Sequence, residues 1–272
     1  MNFELSKRVQ KGIMLTSVIS GFSVVALGFV LFYPNSYQAF LSIGLMIGFA
    51  GPALVFQINY RRKNLFDEYL PRLLQDIAES QETGMTLLQS LEESSRRKYG
   101  PLTAELKKLA SKLSWGVAFE DAFQTFAKRL ETEMAEKVVT LVLQANRLGG
   151  DLRKVFDSTA SFAQKMIEIK KERSSQLRQY VFMIYTILII FLVIIVVLYQ
   201  SFFLPNFSGG NRFLVMPVSP ETFKDVLTDL ATIEAVVGGL IAGKLSEGSM
   251  FLGLKHSIAL LVISLLVSTF YL

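Results

Sequence analysis

Apolar and charged positions alternate along this chain in blocks long enough to be membrane crossings and a water-exposed body. No Asp, Glu, Lys or Arg occurs at residues 12–60 or at 180–204, whereas the stretch between is crowded with all four. Residues 12–33 give 22 uncharged positions. At about 1.5 Å of helical rise each, such a run spans a hydrocarbon core of about 30 Å. Pro34, Asn35 and Ser36 form a turn, and residues 39–60 return across, with Pro52 predicting a kink. Residues 181–204 make the third crossing, with Tyr180, Tyr185 and Tyr199 towards its ends. An irregular outer loop is expected near 205–220. Glu221, Asp225 and Asp229 then recur every fourth residue as the wet face of a helix. Residues 230–243 continue it as a short apolar helix whose Ala231, Ala235, Gly239 and Gly243 form a small-residue ridge for close packing. Lys244, Lys255 and His256 bracket a turn before a last short crossing at 257–272, so five spans are expected.

Between the second and third crossings the pattern changes to helical periodicity. Phe66, Leu70, Leu73 and Ile77 form one apolar stripe, and Met134, Val138, Leu141, Ala145 and Leu148 a second. A third is Leu152, Val155, Thr159, Phe162, Met166 and Ile169, all stepping by three and four. Breaks are expected at Thr83-Gly84, Tyr99-Gly100-Pro101, Trp115-Gly116 and Gly149-Gly150. Thr86 with Gln89 predicts a capping box, Pro101 suits a first helical turn, and Asp151 an N-cap. The expected fold is all-α: a polytopic membrane protein with an antiparallel cytosolic bundle of about six helices. Its domains are an N-terminal transmembrane hairpin at 1–60, the bundle at 61–179 and a C-terminal transmembrane region at 180–272.

Composition narrows the class further. Hydrophobic residues make up 51% of the 272 positions and mean hydropathy is +0.41, too apolar for a soluble domain and too charged for membrane alone. The net charge of +5 is the Lys and Arg excess expected of cytosolic flanks rather than a nucleic-acid footprint. Lys7, Arg8 and Lys11 precede the first span, Arg61, Arg62 and Lys63 follow the second, and Arg173 and Arg178 precede the third. The N-terminal flank and the bundle are therefore expected in the cytosol, with the C-terminal end outside. The first apolar run is long and has no small-residue cleavage site after it, so it is expected to be retained.

Candidate chemistry is sparse. With no Cys and His256 alone, thiolate and zinc chemistry lack their residues. No Gly-x-x-x-x-Gly-Lys-Ser/Thr phosphate loop occurs, and Glu92-Glu93 and Glu120-Asp121 point away from each other on their helices as solvated faces. No catalytic residue, cofactor or metal site is expected, and the chain is not expected to be an enzyme. Arg96, Arg97 and Lys98 cluster at a predicted helix end, where they either offset the helix dipole or receive an acidic partner surface. Trp115 is expected to be a buried packing anchor. Glu234, an ionisable group in an apolar helix, either meets interfacial water or faces protein.

Three segments carry a family resemblance. They are Glu79-Ser80-Gln81-Glu82-Thr83-Gly84-Met85-Thr86-Leu87-Leu88-Gln89-Ser90-Leu91, Trp115-Gly116-Val117-Ala118-Phe119-Glu120-Asp121-Ala122-Phe123, and Gln144-Ala145-Asn146-Arg147-Leu148-Gly149-Gly150-Asp151-Leu152. In order and at these separations, followed by a long membrane helix, they resemble the Gly-centred turns of the type II secretion F domain, with Gly84, Gly116, Gly149 and Gly150 at the turns. The run Lys171-Glu172-Arg173 through Tyr185, then the third span, is similar to the archaeal branch of pilus and archaellum platforms. The resemblance covers roughly 61–272. It implies an integral membrane platform of a type IV filament or type II secretion machine in the cell membrane. Its implied partners are a cytosolic hexameric ATPase, pilin subunits, membrane lipids and a second F-domain copy, as a homodimer or with a sister protein. It also implies that Glu234, if buried, pairs with a pilin's positively charged N-terminus. A small transporter or channel and a membrane-tethered signalling scaffold are the alternatives. No Gly or Pro occurs between Asp151 and Leu204, so the last bundle helix is expected to enter the third span as a lever.

Overall fold

A computed structural model describes residues 6–32, 37–148, 151–203, 205 and 219–271, and the regular structure among them is helical. The expected turn at 34–36, the outer loop at 206–218, and Gly149 and Gly150 lie outside the described residues. The helices are α1 (Lys7–Phe32), α2 (Tyr37–Glu82), α3 (Leu87–Arg96), α4 (Leu102–Ser114), α5 (Phe119–Leu130), α6 (Glu133–Arg147), α7 (Leu152–Leu198), α8 (Pro220–Glu247) and α9 (Leu254–Tyr271). Five of them, α1, α2, α7, α8 and α9, are long and apolar enough to cross a membrane. This makes the chain an all-α, multi-pass membrane protein. Contacts divide the described residues into two compact units, one within 58–173, the other within 6–57 and 174–271.

The first unit is a helical bundle around α2. Phe66, Leu70, Leu73 and Ile77 are all buried, as their spacing predicts. The other two stripes are displaced. On α6 the buried face is Met134, Ala135, Val138, Val139, Val142 and Leu143, with Leu141 and Leu148 exposed. On α7 it is Phe156, Thr159, Ala160, Ala163 and Ile167, with Phe162 and Ile169 outward. The expected Met134, Val138 and Thr159 are inward, but on α7 the buried face turns about one position to take in Ala160 and Ala163, whose small side chains permit close helix approach.

The capping box at Thr86 and Gln89 forms in both directions, and Asp151 Oδ1 accepts from the Arg153 N–H at 3.1 Å. A further break, between α5 and α6, has no glycine. Glu131 takes a left-handed conformation at φ 53°, and Thr132 Oγ1 caps α6 by accepting from the Ala135 N–H at 3.2 Å. Two helices run longer than the sequence suggests. α2 continues for 46 residues through Pro52 and past Tyr60, because a change from apolar to charged side chains does not interrupt backbone hydrogen bonding. α8 joins the acidic ladder and the apolar stretch into 28 residues, capped by Ser219 and ended by Gly248 at φ 79°.

In the second unit small residues set the packing. A Cβ on Gly21 of α1 would lie 2.5 Å from the Gly44 carbonyl oxygen of α2, so the two backbones are in contact there. Ser17 Oγ donates to the Gly48 carbonyl at 3.2 Å across the same crossing. The ridge of α8 packs in the same way. Gly239 lies against the Ser257 backbone and Gly243 against that of Gly253, with Ser257 Oγ donating to the Val236 carbonyl at 2.9 Å. Ala231 and Ala235 are buried with Leu188, Leu192 and Ile195 of α7 and Leu260 and Leu261 of α9.

Candidate functional site

The connections of the first unit sort by end. The α2–α3, α4–α5 and α6–α7 turns share one, joined by two ion pairs. Arg153 Nη1 of α7 donates to Glu82 Oε1 of α2 at 3.2 Å. Arg147 of α6 grips Glu120 of α5 through both carboxylate oxygens, at 2.7 and 2.8 Å. That hydrogen bonding holds the Glu120 carboxyl below the usual carboxylate range. Gly84 and Gly116 shape two of these turns. Their φ values of 89° and 81° lie where a side chain is strained, although nothing stands within 4 Å of a Cβ at either.

This end carries the most exposed large apolar side chains of the unit. Trp115 and Leu148 are each 86% exposed, with Met85 and Val117 also exposed on these connections and Leu88 exposed in the first turn of α3. The expectation of a buried Trp115 is therefore corrected. The α4 helix ends at Ser114, so Trp115 is carried past the last inward-facing position by the tight turn that Gly116 completes. Covering one such aromatic, at roughly 150–250 Å² of side-chain area and about 25 cal/mol per Å², is worth on the order of 4 kcal/mol. Neither Trp115 nor Leu148 stood out as a surface residue in sequence. Their shared signal is position: each directly precedes a glycine in the sequence.

The basic cluster is elsewhere and is not a unit. Arg97 Nη1 closes on Asp76 Oδ1 at 3.2 Å, while Tyr99, fully buried, donates its hydroxyl to Asp76 Oδ2. Burial and the neighbouring Asp76 push the Tyr99 phenol far above its ordinary range. Arg96 and Lys98 are exposed beside it. Arg97 thus holds the α3–α4 turn onto α2, which leaves two of the three predicted cations for an outside surface.

Glu234 sits at the midpoint of α8, half-buried and in no ion pair among the described residues, instead of near the outer end of a short span. It belongs to the second unit and is not part of the exposed apolar end. No group of three or more His, Cys, Asp or Glu side chains among the described residues is placed to hold a metal ion.

Residues 73–200 match the family model for type II secretion system (T2SS), protein F. The match takes in the end-turns, the α7 bundle segment and the third crossing, and is narrower than the 61–272 the resemblance covers. Over 243 residues the chain is 26% identical to an uncharacterized protein of Methanocaldococcus jannaschii, covering 85% of this chain. The chain spans 38% of that relative's length. No solved structure matches.

Proposed function

Because residues 73–200 match the family model for type II secretion system protein F, we propose that the chain is the integral membrane platform of a type IV filament or type II secretion machine. In this reading a cytosolic ATPase engages the exposed end of the bundle, and the crossing helices hold and shift a pilin's apolar segment. The chain itself binds no nucleotide and performs no covalent chemistry. It transmits displacement, as a 61–179 bundle in the cytosol between crossings at 1–60 and 180–272. A second F-domain copy would complete the platform.

The observation that carries this reading is helix continuity. α2 runs unbroken over Tyr37–Glu82 and α7 over Leu152–Leu198, so each is part bundle and part crossing. Sharp bends in helices arise at Pro, Gly-containing pairs or inserted turns, and α7 contains neither Pro nor Gly. Trp115, with Leu148 on the same end, supplies the contact, since Trp is enriched among the few residues that carry most of the energy of a binding interface.

The test is a pull-down from native membranes with Trp115→Ala/Leu148→Ala beside the wild type. The wild type should retain a secretion-type ATPase and pilins, and the double variant should lose at least about tenfold of the ATPase at unchanged protein level. Equal ATPase capture by the variant would remove the exposed end as the docking surface. Absence of both partners from the wild type would overturn the platform reading, and ion or solute flux through reconstituted protein would favour a transporter.

A further inference from the structure

A second charged surface lies where α2 enters the first unit and α7 leaves it. α2 carries Arg61, Arg62 and Lys63 there, and α7 carries Lys170, Lys171 and Arg173. The register between the helices is fixed at two points. Lys170 Nζ donates to Asn64 Oδ1 at 2.9 Å, and Arg153 meets Glu82 at 3.2 Å far along the same antiparallel pair. Counting back from the first pairing brings Arg61 level with Arg173.

Several of these cations are committed internally. Lys170 lies 3.7 Å from Asp67 Oδ2, Lys63 3.4 Å from Glu131 Oε2, and the Arg62 guanidinium 5.3 Å above the Phe66 ring. Arg61, Lys171 and Arg173 are exposed and pair with no carboxylate among the described residues. Two guanidinium groups level on adjacent helices repel unless an anion lies between them, and their planar donor forks suit a phosphate in two-point contact.

The chain also says which phosphate. Residues 37–60 hold no charge, so Arg61 is the first cation after a crossing, and Arg173 stands seven positions before the uncharged run at 180–204. Along the sequence these side chains fall at or shortly before the ends of the uncharged runs, with Arg178 between Arg173 and the third crossing, where juxtamembrane cations meet anionic headgroups. We propose that Arg61, Arg173 and Lys171 form a binding site for the headgroup phosphate of an anionic membrane lipid. A lipid held there bridges α2 and α7, the two helices shared between bundle and crossings. The site depends on membrane insertion alone and stands whether or not the platform reading does.

The full chain, reconstituted in nanodiscs of zwitterionic lipid mixed with phosphatidylglycerol and then transferred to detergent, tests this by native mass spectrometry of retained lipid. Wild type should keep phosphatidylglycerol in preference to the zwitterionic lipid. Arg61→Gln/Arg173→Gln should lose about tenfold or more of that preference, with helix content by circular dichroism unchanged. Lys107→Gln/Lys128→Gln, which removes the same charge from exposed positions elsewhere on the unit, should behave as wild type. Arg61→Lys/Arg173→Lys, which keeps the charge but not the forked donors, should retain an intermediate amount. Equal preference in wild type and Arg61→Gln/Arg173→Gln overturns the proposal, as does equal loss in the two glutamine variants. Displacement of the lipid by millimolar inorganic phosphate would assign the site to the free ion and overturn it too.

Discussion

At the scale of single residues, Tyr99 shows how the bundle spends its few buried polar groups. Its hydroxyl and Arg97 divide the two oxygens of Asp76 between them, tying the α3–α4 turn to α2. Tyr99→Phe keeps the buried ring and removes the donor, so unfolding in a denaturant series should show a loss of about 1.5–3 kcal/mol, the range for hydrogen bonds to charged groups. Asp67 makes a pH-dependent contribution. Burial raises its carboxyl above the usual range, while Thr132 and Lys170 pull it back. The native state therefore holds this proton more tightly than the unfolded chain, whose Asp titrates near about 3.9. The contribution is fully present below that value and is lost as pH rises through the higher native one. Asp67→Asn should flatten this acid-side slope in a pH series of thermal unfolding; an unchanged slope would assign it to other carboxylates. Neither network was legible in sequence, because Asp76 and Asp67 meet partners 21 to 103 residues away. Trp115 was misread for a related reason: composition says that Trp packs, but only the turn geometry says which way it faces.

Elements were more legible than residues, and their ends less so than their existence. The uncharged runs gave the crossings, and three of the breaks gave turns, since length and glycine act locally. What sequence blurred were boundaries set by continuity. Nothing at Tyr60–Arg61 stops a helix, so α2 carries through, and Glu131–Thr132 breaks α5 from α6 without any glycine because a threonine cap substitutes for one. The same continuity gives two tests. Gln176→Gly with Leu177→Pro places a joint in α7 and should abolish filament assembly, scored by electron microscopy, at normal protein abundance; unchanged filaments would remove α7 as the lever. Gly239→Val instead drives a side chain into the Ser257 backbone and should separate α8 from α9. Overpacking of this kind costs typically about 1–3 kcal/mol, and abundance in the membrane should fall several-fold by immunoblot.

For the whole molecule, an odd number of crossings has a consequence that no single helix carries. Were all five helices to cross, the α8–α9 turn would return to the cytosolic side, whereas the start of α8 and the end of α9 would share the opposite side. Were α8 re-entrant instead, leaving four crossings, the α8–α9 turn would stay on the outer side and the end of α9 would move to the cytosolic side. The absence of cysteine makes this measurable without first clearing native thiols. Single substitutions Ala104→Cys, Met250→Cys, Glu221→Cys and Tyr271→Cys all fall on exposed positions. In intact cells an impermeant maleimide should label Glu221→Cys and Tyr271→Cys and spare the other two, which should react only after the membrane is opened. Charge favours this orientation: Arg61, Arg62, Lys63 and Arg173 flank the bundle, and basic flanks stay in the cytosol. Labelling of Ala104→Cys in intact cells would invert the orientation and remove the bundle from reach of any cytosolic ATPase. Labelling of Met250→Cys with protection of Tyr271→Cys would leave the bundle where it is and make α8 re-entrant.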